Sequence, residues 1–169
     1  HRPPALESAR MIVVWLLLAY LAGSIPTSLV VAKLAGGVDL REFGSRNLGA
    51  TNLYRLLGWK AAVPVGLFDV AKGTVPVLLA GRAAGGAEWW PYAIGVAAVL
   101  GHVFSTFVRF KGGKGVATAA GVFLALAPGS LGVGALVWAG VVYLSGYVSL
   151  GSMIAAMAFA ASVPLLYPG

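Results

Sequence analysis

The sequence predicts an all-α, polytopic membrane helix bundle of about six transmembrane helices, and two observations carry that prediction. Hydrophobic residues make up 59% of the 169 positions and charged residues only 10%, with a mean hydropathy of +0.88. A soluble domain carries about a quarter charged residues. The apolar residues also fall into runs of span length, and the last 55 positions, from Gly115 onward, hold no charge at all. Residues 1–169 are expected to form one integral membrane domain. With no cysteine in the chain, a disulfide framework and a thiolate metal site are both excluded. A net charge of +7 would suit nucleic acid, but the apolar content argues against that partner.

The elements follow in order. Residues 1–10 read as a polar, proline-containing N-terminal extension. Residues 11–32 are a 22-residue apolar run, enough to cross about 30 Å of hydrocarbon. Arg10 and the small residues at 19–24 resemble the flanks of a signal peptide, but the apolar sequence downstream favours a retained helix. Residues 33–60 are polar and rich in Gly, Asn and Arg. Residues 61–80 are apolar but interrupted by Asp69 and Lys72, and residues 89–108 make a third span with Trp89, Trp90 and Tyr92 as its interfacial belt. Residues 116–127, 131–144 and 150–166 supply three more helices, separated by Pro128-Gly129 and Ser145-Gly146-Tyr147. Small residues let membrane helices approach closely, and Gly121, Gly132, Gly134, Gly140 and Gly151 are assigned that packing role.

Lys/Arg bias sets orientation. Residues 33–60 hold five basic and two acidic side chains, residues 109–114 hold three basic and none acidic, and Arg82 and Glu88 cancel. Both basic stretches are therefore expected in the cytoplasm, with the N-terminus outside. Six crossings then put residues 147–152 in the cytoplasm and Gly169 outside.

Three constellations carry the chemistry. In Gly44-Ser45-Arg46-Asn47-Leu48-Gly49-Ala50-Thr51-Asn52-Leu53-Tyr54-Arg55, hydroxyls, amides and a guanidinium concentrate beside the membrane. Thr51 or Asn52 is placed to cap a helix carrying Arg55. The pattern suits a phosphate or polyol, since Arg grips phosphate bidentately and Asn and Ser read hydroxyls. Asp69-Val70-Ala71-Lys72-Gly73 places two ionisable residues inside a span, where they are costly and usually paired or functional. Pairing at i,i+3 and direct ligand contact both fit.

The third is Phe110-Lys111-Gly112-Gly113-Lys114-Gly115-Val116-Ala117-Thr118, a glycine loop with two lysines at the start of a helix. Close backbone approach, inward N–H groups and a helix N-terminus make an anion site. It is not a Walker A loop, because Gly115 stands where Ser or Thr must follow the lysine. His102 reads either as a packed, hydrogen-bonded residue or as a catalyst. A His-x4-Asp acyltransferase pair is excluded, since the fifth position after His102 is Phe107. No His/Asp/Glu cluster has metal-ligand spacing, so no metal or cofactor is expected. Two anion sites at the edge of hydrocarbon suggest group transfer between phosphate-bearing substrates. A transporter for a phosphorylated small molecule is the alternative.

Together with Gly23-Ser24-Ile25-Pro26, Gly101-His102-x-Phe104 and Tyr147-Val148-Ser149-Leu150, these motifs make the chain resemble the bacterial acyl-phosphate:glycerol-3-phosphate acyltransferases. The resemblance runs from about Gly23 to Ser152. It implies transfer of a fatty acyl group from acyl phosphate to the 1-hydroxyl of glycerol 3-phosphate, the first step of bacterial phospholipid synthesis, at the inner membrane. It also implies the enzyme that makes acyl phosphate as a partner. The family pattern carries Lys114, Ser45 and Arg55 as catalytic residues. Asn47, Thr51, Asn52, Lys111, Gly112, Gly113, Gly115, Thr118 and Ser149 line the substrates, with Asp69, Lys72 and His102 in support. The donor's own phosphate oxygen would take the proton, with His102 or Asp69 as the alternative base. Two departures stand out: Arg46 where the family usually has Gly, and Ser105 where it usually has Pro. The resemblance further implies a seventh helix and a basic tail with a His-x-x-Asn element, which this sequence is expected to lack.

Overall fold

The computed structural model describes residues 5–83 and 88–168; the first four residues of the expected N-terminal extension and the Arg82 side chain lie outside the described residues. Among the described residues every regular element is helical: α1 Ala5–Ser24, α2 Thr27–Gly36, α3 Ala50–Leu57, α4 Trp59–Ala83, α5 Trp90–Val103, a 3-10 turn at Thr106–Val108, α6 Val116–Leu126, α7 Pro128–Ser145 and α8 Val148–Leu166. Contacts within the chain divide it into two compact units, residues 1–122 and 123–169, the boundary falling inside α6.

Two expected spans have a different shape. Residues 5–10 belong to α1 rather than to a polar extension, and the run expected as one helix over 11–32 is broken after Ser24. Pro26 has no N–H to give and a fixed φ, so the chain turns there before restarting at Thr27. The apolar stretch nevertheless continues across the break, over Ala9–Gly36. Among the described residues five stretches are long and apolar enough to cross a membrane, and the sixth expected span, Val116–Leu126, has only 11 residues. At 1.5 Å per residue it reaches about 16 Å, half the hydrocarbon thickness. The glycine loop before it and Pro128 after it claim the residues that a longer helix would need.

Residues 1–122 pack by backbone approach rather than by large side chains. A Cβ on Gly23 would stand 2.0 Å from the Ala98 carbonyl oxygen, and one on Gly101 would stand 2.1 Å from that of Tyr20, so α1 and α5 touch main chain to main chain. α4 and α6 meet in the same way, Gly73 against the Thr118 carbonyl and Gly121 against that of Val70. Thr74 Oγ1 seals this contact by donating to the Gly121 carbonyl at 2.8 Å. Large residues such as Leu17, Leu18, Val96 and Leu100 point outward instead. In lipid there is no gain from hiding them, and small residues decide which faces associate.

In residues 123–169, α7 and α8 form an antiparallel hairpin through Gly146, whose φ of +73° reverses the chain. Gly151 meets Trp138 and Val142, and Gly134 meets the Ala155 carbonyl. Phe123 lies 4.2 Å from Phe159, centroid to centroid. Gly132 and Gly140, expected to serve helix packing, have nothing within 4 Å of a Cβ added to them. Their faces stand open.

Candidate anion site

The segment between α2 and α3 is held from beneath. Leu40, Leu48 and Leu53 enter an apolar cluster with Leu29, Ala32, Val65 and Val108, which leaves the polar residues between them facing out. Asn52 is the hub of the loop: its amide nitrogen donates to the carbonyls of Leu40, Phe43 and Asn47, and its oxygen accepts the Ser45 N–H at 3.1 Å. Upstream, Asp39 receives the Arg41 guanidinium at 2.9 and 2.6 Å together with the Arg41 backbone N–H. Those bonds hold the Asp39 carboxyl well below the usual carboxylate range.

Two expectations change here. Neither Thr51 nor Asn52 caps α3; the N-cap is Gly49, with no side-chain cap bond. Asn52 is also not a surface ligand, because it is buried and its amide is used up by the loop backbone. Asn52→Ala should therefore strand three carbonyls and one N–H, costing about 2 kcal/mol or more. Faster trypsin cleavage at Arg46 and a lower unfolding midpoint in detergent are the expected readouts.

Arg46 sits at φ +58°, the left-handed region that costs an ordinary residue roughly 1–2 kcal/mol. This is why a glycine suits the position. Arg46→Gly should raise stability by about 0.5–1 kcal/mol once glycine's extra unfolded-state freedom is counted, read as an upward shift of the unfolding midpoint.

Beneath the loops lies a buried ionic cluster. Asp69 and Lys72 pair at 2.7 Å with side chains only 3% exposed. Lys72 Nζ also donates to the Ile25 carbonyl at 2.8 Å, at the break between α1 and α2, and stands 3.3 Å from His102 Nδ1. The break that Pro26 imposes thus presents a backbone acceptor to the buried ammonium. All three side chains are buried.

The Lys loop leaves α5 through Arg109 and Phe110, both at positive φ. It then folds back onto the helix end, Gly112 N–H donating to Val103 and Gly113 N–H to His102. A Cβ on Gly112 would stand 1.9 Å from the His102 carbonyl oxygen, and one on Gly113 would stand 2.4 Å from both His102 Nε2 and the Leu48 carbonyl oxygen. Gly113 is accordingly the point where the two polar loops meet. From the sequence these glycine N–H groups are expected to cradle the anion. They are instead committed to the end of α5, because the loop must be fastened before it can hold anything. The N–H groups left for a ligand are those at the start of α6, whose first turn has no intrahelical acceptors. Beside them Lys111 and Lys114 are exposed.

Ser45, Thr51 and Arg55 are exposed and Asn47 is half-buried, all on the segment that Leu48 ties to Gly113. Gly115, at φ +74°, makes the turn into α6. Thr118 lies apart from this surface, fully buried where α6 meets α4, so it lines the helix contact rather than the loop. Ser149 is exposed in the first turn of α8, within residues 123–169. A narrow cleft with space for about one water (10 Å³) runs beneath the loops, lined by Ser24, Ser28, Asp69, His102, Ser105 and Gly113 among others. The sequence offers Ser24 only within the Gly23-Ser24-Ile25-Pro26 motif and Ser105 only as a departure from Pro. In the fold the Ser105 hydroxyl donates to the Ser24 carbonyl.

Fold and site together define a multi-pass membrane protein with exposed lysines beside the start of a helix, a candidate anion site. The sequence profile described as glycerol-3-phosphate acyltransferase matches residues 13–168, and the chain belongs to that family. It is 55% identical over 141 residues to the glycerol-3-phosphate acyltransferase of Geobacter sulfurreducens, covering 83% of this chain and 71% of the relative. To that of Chlorobaculum tepidum it is 48% identical over 154 residues, covering 85% and 66%. Its fold is similar to the crystal structure of PlsY (YgiH), an integral membrane glycerol 3-phosphate acyltransferase, in the glycerol 3-phosphate form. The TM-score is 0.86 at 44% identity, covering 91% of this chain and 76% of that one. The lysophosphatidic acid form gives a TM-score of 0.83 at 42% identity. The chain thus spans about two thirds to three quarters of the length of these proteins.

Proposed function

We propose that this chain transfers a fatty acyl group from acyl phosphate to the 1-hydroxyl of glycerol 3-phosphate, giving lysophosphatidic acid and inorganic phosphate. The observation that carries the reading is the meeting of Leu48 with Gly113. That contact sets the hydroxyl- and arginine-bearing segment beside the lysines and free N–H groups at the start of α6. Two phosphate-bearing substrates, one lipidic, suit such a pair of loops.

The acceptor oxygen forms a bond to the acyl carbon, the bond from that carbon to the phosphate oxygen breaks, and the hydroxyl proton passes to the departing phosphate. An acyl phosphate is already activated, so its leaving group needs little assistance. Lys114 and the α6 N–H groups hold the donor's phosphate and offset charge as it develops. Arg55 and Ser45 fix the glycerol phosphate so that its hydroxyl faces the carbonyl, which is catalysis by positioning. Asn47, Thr51 and Lys111 extend this surface. The bond exchange balances with these two substrates alone, and an enzyme that phosphorylates fatty acyl groups must supply the donor.

The basic stretches at 33–60 and 109–114 are separated by α4 and α5, two crossings, and so share one face. Their positive charge supports a cytoplasmic placement of that face, at the inner membrane with the N-terminus outside. The test uses purified protein with acyl phosphate and labelled glycerol 3-phosphate, and acyl-CoA as control donor. Lysophosphatidic acid from acyl phosphate alone is expected. Product from acyl-CoA alone would reassign the donor. No product with either, but glycerol 3-phosphate uptake into liposomes, would make the chain a transporter.

A further inference from the structure

The Lys72 ammonium pairs with Asp69 Oδ1 at 2.7 Å, donates to the Ile25 carbonyl at 2.8 Å and stands 3.3 Å from His102 Nδ1. An ammonium donates and never accepts, and the Asp69 carboxylate stands 2.7 Å from it. His102 Nδ1 is then the accepting nitrogen, which puts the proton of the neutral ring on Nε2. Asp69 Oδ1 lies 4.0 Å from Nδ1, beyond hydrogen-bond reach, so it does not compete for that position. Nε2 points at the underside of the Lys loop, where it and the Leu48 carbonyl oxygen converge on Gly113. The backbone carbonyl of the same histidine takes the Gly113 N–H.

We propose that Asp69 and Lys72 are positioning residues that lock His102 in its neutral Nε2–H tautomer. The locked ring is the floor on which Gly112 and Gly113 are seated, and that seating sets Lys114 and the start of α6 relative to Leu48 and the Ser45 segment. The same lock removes His102 from the candidates for general base, since its Nδ1 lone pair is occupied and its Nε2 carries the proton. The kinetic consequence rests on the acyl transfer proposed above, whereas the tautomer does not.

Nitrogen-15 NMR of histidine-labelled protein in detergent at pH 7 tests the lock, with His102→Gln identifying the ring signals of His102 against those of His1. A protonated Nε2 and an unprotonated Nδ1 are expected, and Lys72→Met should abolish that pattern. A proton on Nδ1, a proton on both nitrogens, or a pattern unchanged in Lys72→Met would overturn the proposal. Kinetics give the second arm. The Gln amide places an N–H donor near the Nε2 position, so His102→Gln should lose less than about tenfold in turnover and His102→Leu clearly more. A general base would be worth roughly 10²–10⁴, so an equally severe loss in both variants would count against the floor role. A protein with the expected tautomer but no acyl transfer would refute the proposed reaction and leave the lock standing.

Discussion

Lys114→Ala is expected to lower acyl transfer by about 10²–10³-fold, the range seen when one preorganised stabilising group is removed from a developing charge. The side chain is exposed and no hydrogen bond or ion pair within the described residues depends on it. Its loss should therefore change stability by no more than about 0.5 kcal/mol. Steady-state assay with acyl phosphate beside thermal unfolding in detergent separates the two effects. Near-normal turnover would remove Lys114 from the mechanism; a collapsed unfolding midpoint would make it structural.

Gly112→Ala should do comparable damage by a different route. The added methyl would stand 1.9 Å from the His102 carbonyl oxygen and 2.9 Å from that of Val103, both backbone atoms of the helix end that fastens the loop. Neither can swing aside as a side chain would, so the loop must lift. The Gly112 N–H to Val103 bond at 2.9 Å is strained or lost with it. Overpacking of this kind costs about 1–3 kcal/mol, and the lifted loop would carry Lys114 out of register. Turnover should fall by about 10²-fold or more, with far-ultraviolet circular dichroism showing the helices retained. Full activity in this variant would mean that the loop is seated by something other than α5.

Much of this was legible in the sequence. Five of the six expected spans follow from the thickness of hydrocarbon, and only Val116–Leu126 falls short of it. Three-residue spacing allowed Asp69 and Lys72 either to pair or to meet a ligand, and the fold shows them paired. Arg46 was readable as a departure from glycine, though only the φ of +58° shows what the glycine is for. Where spacing misled, a local rule was outvoted by a distant contact. Asn52 looked like a cap or a ligand, but it reaches back 12 residues to the Leu40 carbonyl. The run over 11–32 looked like one helix until Pro26 took effect. Thr118 looked like part of the Lys loop, yet one turn of helix carries it under α4.

By itself, then, the sequence determined what kind of solvent this chain lives in and which residues carry charge and hydroxyl at its edge. Both are properties of composition and of short spacings, and neither needs the chain to fold back on itself. Only the tertiary structure decided which N–H groups are free. Gly112 and Gly113 of the Lys loop spend theirs on the Val103 and His102 carbonyls, and the proposed anion site passes to the start of α6. That exchange depends on α5, the segment around Leu48 and the buried Lys72 arriving at one point, from residues 30 to 65 positions apart. A hydrogen bond is satisfied by whatever lies within about 3 Å, and no local pattern records what that will be.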